Sequence, residues 1–304
     1  MKVLVIGLGS IAKKHLQALY EIDNTCDIYA LRSSNRAVNL EGIKNLYSLE
    51  ECKNIQFDFV IISNPTSEHY ATIEKVRSFN IPLFIEKPLF ANINVDSEEL
   101  VRDIIKNNIS TYVACNLRFL ESLVFLKNNI SDTRINEVNV YCGSYLPDWR
   151  PDVDYRTVYS ANAEMGGGVH IDLIHELDYV FWFFGEPEST ISNFSNKSSL
   201  SISANDYANY LWKYDKFNVS IILNYYRRKP KREFEIVTDE FVYKVNLLTN
   251  TVYKDDEVIF EHSNRISNTY LNQMSFFIEH IVKGKEVMND INEANKILKI
   301  CMQE

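Results

Sequence analysis

The chain has 304 residues, 46% of them hydrophobic and 24% charged, with a formal net charge of −9. That length allows two ordinary domains, and that composition belongs to a folded protein and not to a disordered, collagenous or coiled-coil chain. The acidic balance excludes nucleic acid or an anionic membrane as the main partner, because both demand a basic footprint.

Lys2 to Ile6 is an apolar, β-branched run of the kind buried on both faces of a parallel sheet. Gly7 and Gly9 interrupt it and Lys13, Lys14 and His15 follow, so it reads as a first strand and not a leader. No stretch reaches the ~18 unbroken apolar residues of a membrane helix, and a cytoplasmic protein is expected. The run ends in Gly7-Leu8-Gly9-Ser10-Ile11-Ala12, and a helix follows with Ile11, His15, Leu16 and Leu19 along one side. Asp27 to Leu31 is the second strand, followed by Arg32-Ser33-Ser34-Asn35-Arg36. Phe57 to Ile62 is another, leading through Ser63-Asn64-Pro65 into a helix from about Ser67 to Phe79. Pro82 to Ile85 closes on Glu86-Lys87-Pro88. Asp96 and Glu99 predict a capping box for the helix through Leu100 and Ile104, and Thr111 to Cys115 is a further strand. Strands alternating with helices predict a doubly wound parallel sheet over residues 1–118.

The glycine turn carries the chemistry of this half. Gly7 permits a tight turn, Gly9 lets a pyrophosphate approach the backbone, and Ala12 keeps the helix close to the sheet. Ser10 and Ile11 open a helix whose free N–H groups and positive dipole end face the phosphates. The motif lies between the first strand and the first helix, the context that gives it meaning. A purely structural turn is the alternative. NAD enzymes place an acidic residue at the end of the second strand, and none is present here. Arg32, Ser33 and Ser34 instead suit a 2′-phosphate, which favours NADP over NAD, against the alternative of a solvated basic loop.

Residues 119–304 read differently. Strands are predicted at Asn136 to Tyr145, Thr190 to Asn196, Tyr207 to Tyr214, Phe217 to Tyr225, Glu233 to Thr238 and Phe241 to Leu247, several with alternating polarity. Leu146 to Gly185 holds loops and one helix, and a last helix from about Asn268 to Val282 carries Met274, Phe277, Ile278 and Ile281 on one face. The run Arg227-Arg228-Lys229-Pro230-Lys231-Arg232 falls between two predicted strands. A solvated turn is expected there, a nucleotide-sugar or subunit contact being the sharper alternative. The stretch around Trp149, Arg150, Tyr155, Arg156 and Tyr159 suits a sugar with an anionic group, or else a loop ordered by its own contacts. Five scattered cysteines with no C-x-x-C pair predict reduced thiols and no zinc framework.

Taken together these motifs resemble the Gfo/Idh/MocA oxidoreductases. The matching residues are the glycine turn from Gly7 to Ala12, Asn64-Pro65 with His69, Glu86-Lys87-Pro88, Asn116-Leu117-Arg118-Phe119, and Gly166-Gly167-Gly168 followed by Asp172 and His175. The resemblance covers nearly the whole chain. It implies an α/β protein with an N-terminal Rossmann domain and a C-terminal α/β domain whose open, mostly antiparallel sheet joins a homodimer or homotetramer. It also implies hydride transfer between NADP or NAD and a sugar, amino sugar or nucleotide-linked sugar. Part of the chain is similar to enzymes of surface-polysaccharide or nonulosonate pathways. Lys87 matches the family's catalytic lysine. Asp172 is expected to position a substrate hydroxyl and His175 to act as general acid or base. Many members keep these two residues four apart. Here they are three apart, which at about 100° per residue still shares a helix face, with Glu176 or His170 able to take part of the role. Gly7, Gly9, Ser10, Ile11, Ala12, Arg32, Ser33, Ser34, Asn64, Pro65, His69, Glu86 and Lys87 are the expected cofactor contacts. Asn116, Arg118, Arg150, Tyr155, Arg156, Tyr159, Asp172 and His175 are the expected substrate contacts. A glycosidase with an internal redox cycle and a non-catalytic cofactor sensor are the alternatives, and the presence of Lys87, Asp172 and His175 speaks against the sensor.

Overall fold

Most strands of the first half are apolar along their length, and the computed structural model, which describes residues 1–34, 40–130, 133–285 and 288–303, buries the central ones on both faces. β1 (Lys2–Ile6), β2 (Asp27–Leu31), β3 (Ile43–Leu46), β4 (Phe59–Ile62), β5 (Leu83–Glu86) and β6 (Thr111–Ala114) form one parallel sheet in the order β3-β2-β1-β4-β5-β6. In its centre Val3 lies beside Ile28 and Phe59. Parallel neighbours need crossovers. These contain α1 (Ser10–Ile22), α2 (Leu49–Lys53), α3 (His69–Val76) and α4 (Val95–Lys106). The order reverses at β1, which β2 and β4 flank, so the carboxyl end of β1 opens the crevice where such sheets bind ligands. α4 does start at a capping box, but its partners are Asn94 and Ser97, not Asp96 and Glu99. Asp96 sits in the first helical turn, where it complements the dipole.

The chain divides into two units, and the first takes in a segment from well beyond residue 118. The first unit holds Met1–Asn116 together with Asn268–Lys299, and the second holds Leu117–Ser267 and the chain end from Ile300. Whereas α5 (Glu121–Asn129) belongs to the second unit, the returning segment contains the helix Thr269–Phe276 and a π-helical turn, Phe277–Val282. Its apolar stripe explains the return. Phe277 meets Phe59 and Phe84 edge-on at 5.1 and 5.2 Å, and Tyr112 bonds to Gln273 at 3.2 Å.

The second unit is built on an eight-stranded, mostly antiparallel sheet. Its strands are β7 (Ile135–Tyr145), β8 (Ser189–Ser195), β9 (Tyr207–Lys213), β10 (Asn218–Asn224), β11 (Tyr226–Thr238), β12 (Val242–Asn246), β13 (Thr251–Lys254) and β14 (Glu257–Glu261). They lie in the order β14-β13-β12-β11-β7-β10-β9-β8, with β7 and β10 parallel. Alternation places Val138, Val140, Ile221, Phe234 and Ile236 inside. The basic run at residues 227–232 is not a turn between strands, as expected, but lies inside β11, with a register break between Tyr226 and Lys231. Tyr141 and Tyr145 of β7 carry its side chains, and Arg232 turns inward to Glu176. All five cysteines are buried free thiols. Among the described residues no helix is long and apolar enough to cross a membrane, and no metal-ligating cluster gathers.

Candidate functional site

The crevice at β1 is shaped by two glycines with opposite reasons for being glycine. Gly7 has φ +94°, and a Cβ there would lie 2.3 Å from the Asn64 backbone nitrogen. The first turn therefore presses against the turn after β4, a contact reinforced by Ser63 Oγ donating to the Gly7 carbonyl at 2.8 Å. Gly9 is the N-cap of α1, with extended backbone and no side-chain cap, and a Cβ there would meet nothing within 4 Å. No internal contact requires that residue to be small. Ser10 and Ile11 follow in the first turn, which has no acidic residue, and Ala12 is fully buried. The N–H groups of this turn remain available to an anion.

A cleft of about 720 Å³ opens over this turn, lined by Gly7, Leu8, Arg32, Ser33, Asn64 and Pro65 among others. That volume lies in the usual range for a cofactor site. Asn64 donates Nδ2 to Thr72 Oγ1 at 2.8 Å, while its Oδ1 is buried with no hydrogen-bond partner among the described residues. An uncapped helix start, bare space at Gly9 and an unmet acceptor together fit a dinucleotide. Arg32 reaches Asn45 Oδ1 at 3.5 Å, and Ser33 and Ser34 are exposed. Asn35 and Arg36 lie outside the described residues. Tyr47, Ser48, Thr72 and Lys75 also line the cleft and were not expected. Ser48 caps α2 through the Glu51 amide, and this S-x-x-E pattern was the available signal.

Three expected cofactor residues, Glu86, Lys87 and His69, lie around the end of β5. The Glu86 carboxylate is buried and bonds the imidazole of His15 and the Lys87 amide, the latter at 3.1 Å. His69 is 1% exposed. Its ring nitrogens meet the carbonyls of Pro88 and Leu89 on one side and of Asn64 on the other, each at 3.1 Å. Burial pushes its pKa down, and a neutral ring carries one N–H, so it donates to only one of these turns at a time. Lys87 is partly buried at the carboxyl end of β5 and precedes a cis peptide to Pro88. Asn116, an expected substrate contact, is buried and donates to Thr269 Oγ1 at 2.6 Å.

In the second unit the triple glycine leads into α6 (Val169–Asp172). Gly167 cannot carry a side chain, since its Cβ would stand 2.0 Å from the Tyr159 carbonyl. The helix expected to run through Asp172 and His175 is broken. α6 ends at Asp172, Leu173 takes φ −101° and ψ 29°, and α7 (His175–Phe184) begins at His175. Leu173 and Ile174 turn inward there, 8% and 4% exposed. The two residues therefore flank a kink and do not share one helix face.

Asp172 accepts the Tyr225 hydroxyl at 2.5 Å, and burial together with that carboxylate pushes the Tyr225 pKa well up. Trp149 meets Tyr225 edge-on at 5.4 Å and donates to Ser144 Oγ at 2.9 Å. Tyr159 bonds the Gly166 carbonyl at 2.8 Å, and burial, aided by Asp172, raises its pKa to about 12. His170 stacks on Phe194 at 4.8 Å, with its pKa lowered to about 4 by burial, and is therefore neutral near pH 7. His175 is partly buried at the start of α7.

The carboxylates of α7 are fully engaged. Both oxygens of Glu176 meet Arg232, at 2.5 and 3.1 Å, and Arg118 grips Asp178 at 2.9 and 2.8 Å. Arg118 and Asp178 are 2% and 0% exposed, so this expected substrate contact is committed to an internal ion pair. Tyr155 bonds the Leu200 carbonyl at 3.0 Å, Arg156 stacks on Tyr155 and lies 3.8 Å from Asp154, and Arg150 is exposed.

Comparison with known proteins places this geometry. A family model described as an oxidoreductase family with an NAD-binding Rossmann fold matches residues 1–113, and the GFO/IDH/MocA C-terminal domain matches residues 124–243. The chain belongs to the Gfo/Idh/MocA oxidoreductase family. Inositol 2-dehydrogenase of Rhizobium meliloti is 25% identical over 199 residues, 62% of this chain and 56% of that protein. The Salmonella typhimurium enzyme of the same name is 25% identical over 224 residues, 68% and 61%. The matched part is thus less than two thirds of these relatives' length. Among solved structures, UDP-N-acetylglucosamine 3-dehydrogenase GnnA from Acidithiobacillus ferrooxidans superposes with a TM-score of 0.80 at 18% identity, covering 100% of this chain and 96% of that one. The WlbA dehydrogenase of Bordetella pertussis, in complex with NADH and UDP-GlcNAcA, gives 0.79 at 16%, covering 99% and 93%. At such identities the likeness is one of fold.

Proposed function

We propose that the chain is an NAD(P)-dependent dehydrogenase or reductase acting on a hydroxyl-bearing carbon of a sugar, amino sugar or nucleotide-linked sugar, with Lys87 and His175 handling the proton. The carrying observation is the uncapped start of α1 under Gly9, where bare space faces free N–H donors at the point of strand reversal. The bound nicotinamide supplies the hydride chemistry. The chain's own part is to hold the dinucleotide on that turn and to exchange the hydroxyl proton. Lys87, at a strand end on the ligand side of the parallel sheet, suits contact with the reacting oxygen. Asp172, held by Tyr225, suits orientation of a substrate hydroxyl. The named substrates of the relatives, inositols and UDP-linked sugars, define the class to screen. Assembly through the eight-stranded sheet is part of the same reading.

NADP is favoured over NAD because Arg32 and Ser33 line the cleft and no carboxylate occurs from Leu31 to Arg36. A thermal-shift comparison tests it, since a ligand bound only by the folded chain raises the melting point. A larger shift with NADH than with NADPH overturns the preference, and no shift with either overturns the whole reading. Lys87→Ala should abolish turnover of a responsive sugar while leaving the cofactor-induced shift in place. Retained turnover would remove Lys87 from the mechanism.

A further inference from the structure

We propose that the bulge in β11 is a binding site for a phosphate or diphosphate group, separate from the dinucleotide cleft and independent of the activity proposed above. The chain is acidic overall, yet residues 227–232 place five cations in six positions. Tyr226 pairs with Tyr145 and Lys231 with Gly143, so residues 227–230 stand opposite Ser144 alone and leave the ladder. Bulges of this kind re-aim side chains, and Pro230 has no N–H to return to the sheet.

Aromatic rings order three of these cations. The Arg227 guanidinium lies over the Tyr141 ring at 5.1 Å, Lys231 over the same ring at 5.3 Å, and Arg228 over Tyr145 at 3.9 Å. An aromatic face holds a cation in place without cancelling its charge. Carboxylates neutralise only part of the set. Glu176 takes Arg232, and Glu233 takes Lys231 at 2.9 Å. Arg227 and Lys229 have no ion-pair partner among the described residues. Arg227 Nε is, in addition, a buried donor with no acceptor among the described residues. Beside them runs a groove of about 380 Å³, lined by Arg227, Lys229, Pro230, Lys231, Asn246 and Leu248 among others. An ordered guanidinium edge and a nearby ammonium form the donor set that phosphate oxygens bind best, because both give charge-assisted bonds and the guanidinium fixes their geometry.

The test is calorimetric titration of the full chain at about 0.01 M ionic strength, where screening is weak. Inorganic diphosphate, UDP and malonate serve as probes, against the wild type, Arg227→Ala/Lys229→Ala, Lys229→Glu and a control, Lys213→Ala, which removes an exposed lysine of β9. Saturable diphosphate binding is expected, weakened at least roughly tenfold by the double substitution and by Lys229→Glu, unchanged by Lys213→Ala, and tighter than malonate. UDP binding more tightly than diphosphate identifies a nucleotide as the source of the group, and equal binding identifies the free phosphate group itself. Lys229 is exposed, so Lys229→Glu still reads the site if the double variant fails to fold. Absence of saturable binding, or affinity unchanged in Lys229→Glu, overturns the proposal.

Discussion

The crevice at β1 and the carboxylates of α7 treat polar groups in opposite ways. Around β1 the first unit leaves them open: an uncapped helix start, a glycine facing empty space and an Asn64 oxygen without a partner. Around α7 the second unit closes its carboxylates, though not the Tyr179 hydroxyl: Glu176 and Asp178 are each held by both oxygens in arginine forks, and Asp172 holds a buried tyrosine. Buried polar groups left unmet cost free energy, so they persist where a ligand completes them. Buried groups fully met do another task, fixing a backbone that would otherwise continue differently. The kink between α6 and α7 lies among these closed groups.

The largest effect expected from this contrast is on Arg118. Arg118→Ala strands the Asp178 carboxylate at 0% exposure, and breaking such a buried pair costs about 3–5 kcal/mol. Arg118→Met combined with Asp178→Leu removes both charges and should recover most of that loss. Chemical denaturation of the two variants measures the difference. If Arg118→Ala costs under about 1 kcal/mol, the pair is not holding α7, and Arg118 returns to the list of substrate contacts.

A smaller effect follows from His170. Its folded pKa is about 4 against 6.5 for the free side chain, with burial the main cause. A base depressed in this way stays neutral in the folded chain while the unfolded chain takes up a proton. Its contribution is therefore intact above pH 6.5 and is lost as pH falls from 6.5 towards about 4. Discounted for partial exposure, the loss is about 2 kcal/mol. His170→Phe keeps an aromatic ring against Phe194 and should flatten the stability profile across that window, leaving the contribution of His69, which burial shifts the same way. An unchanged slope would show that His170 is already protonated in the folded chain.

The contrast also explains what the sequence revealed. The turn from Gly7 to Ala12, the strand ending at Glu86 and most strands of both sheets depend on neighbours a few residues away, and pattern and turn chemistry find them. β3 is only four residues long with two polar positions, and β13 and β14 are short and lie at one side of their sheet, so neither offers a clear period. The kink at Leu173-Ile174 contains no proline or glycine, hence no local signal. The groups fixed on either side of it are reached from far along the chain: Tyr225 is 53 positions from Asp172, Arg232 is 56 from Glu176 and Arg118 is 60 from Asp178. The sequence put Arg118 among the substrate contacts and Arg232 in a solvated basic turn, and only the fold shows that their charges are already spent.

The smallest effect on stability is expected at Gly9, and it is the most direct test of the open side of the comparison. Gly9→Ala introduces a Cβ with nothing within 4 Å, at φ −75°, where any residue fits. The melting curve should move by less than about 1 kcal/mol, the modest difference between glycine and alanine at an N-cap. Dinucleotide affinity should fall at least roughly tenfold, because the new methyl occupies the space through which a pyrophosphate reaches the helix N–H groups. Gly7→Ala supplies the opposite pattern in the same turn, losing stability because its Cβ collides with the Asn64 backbone at a positive φ. Gly9→Ala that binds the cofactor as wild type would mean that the dinucleotide does not lie over this helix start, whatever the strand order suggests.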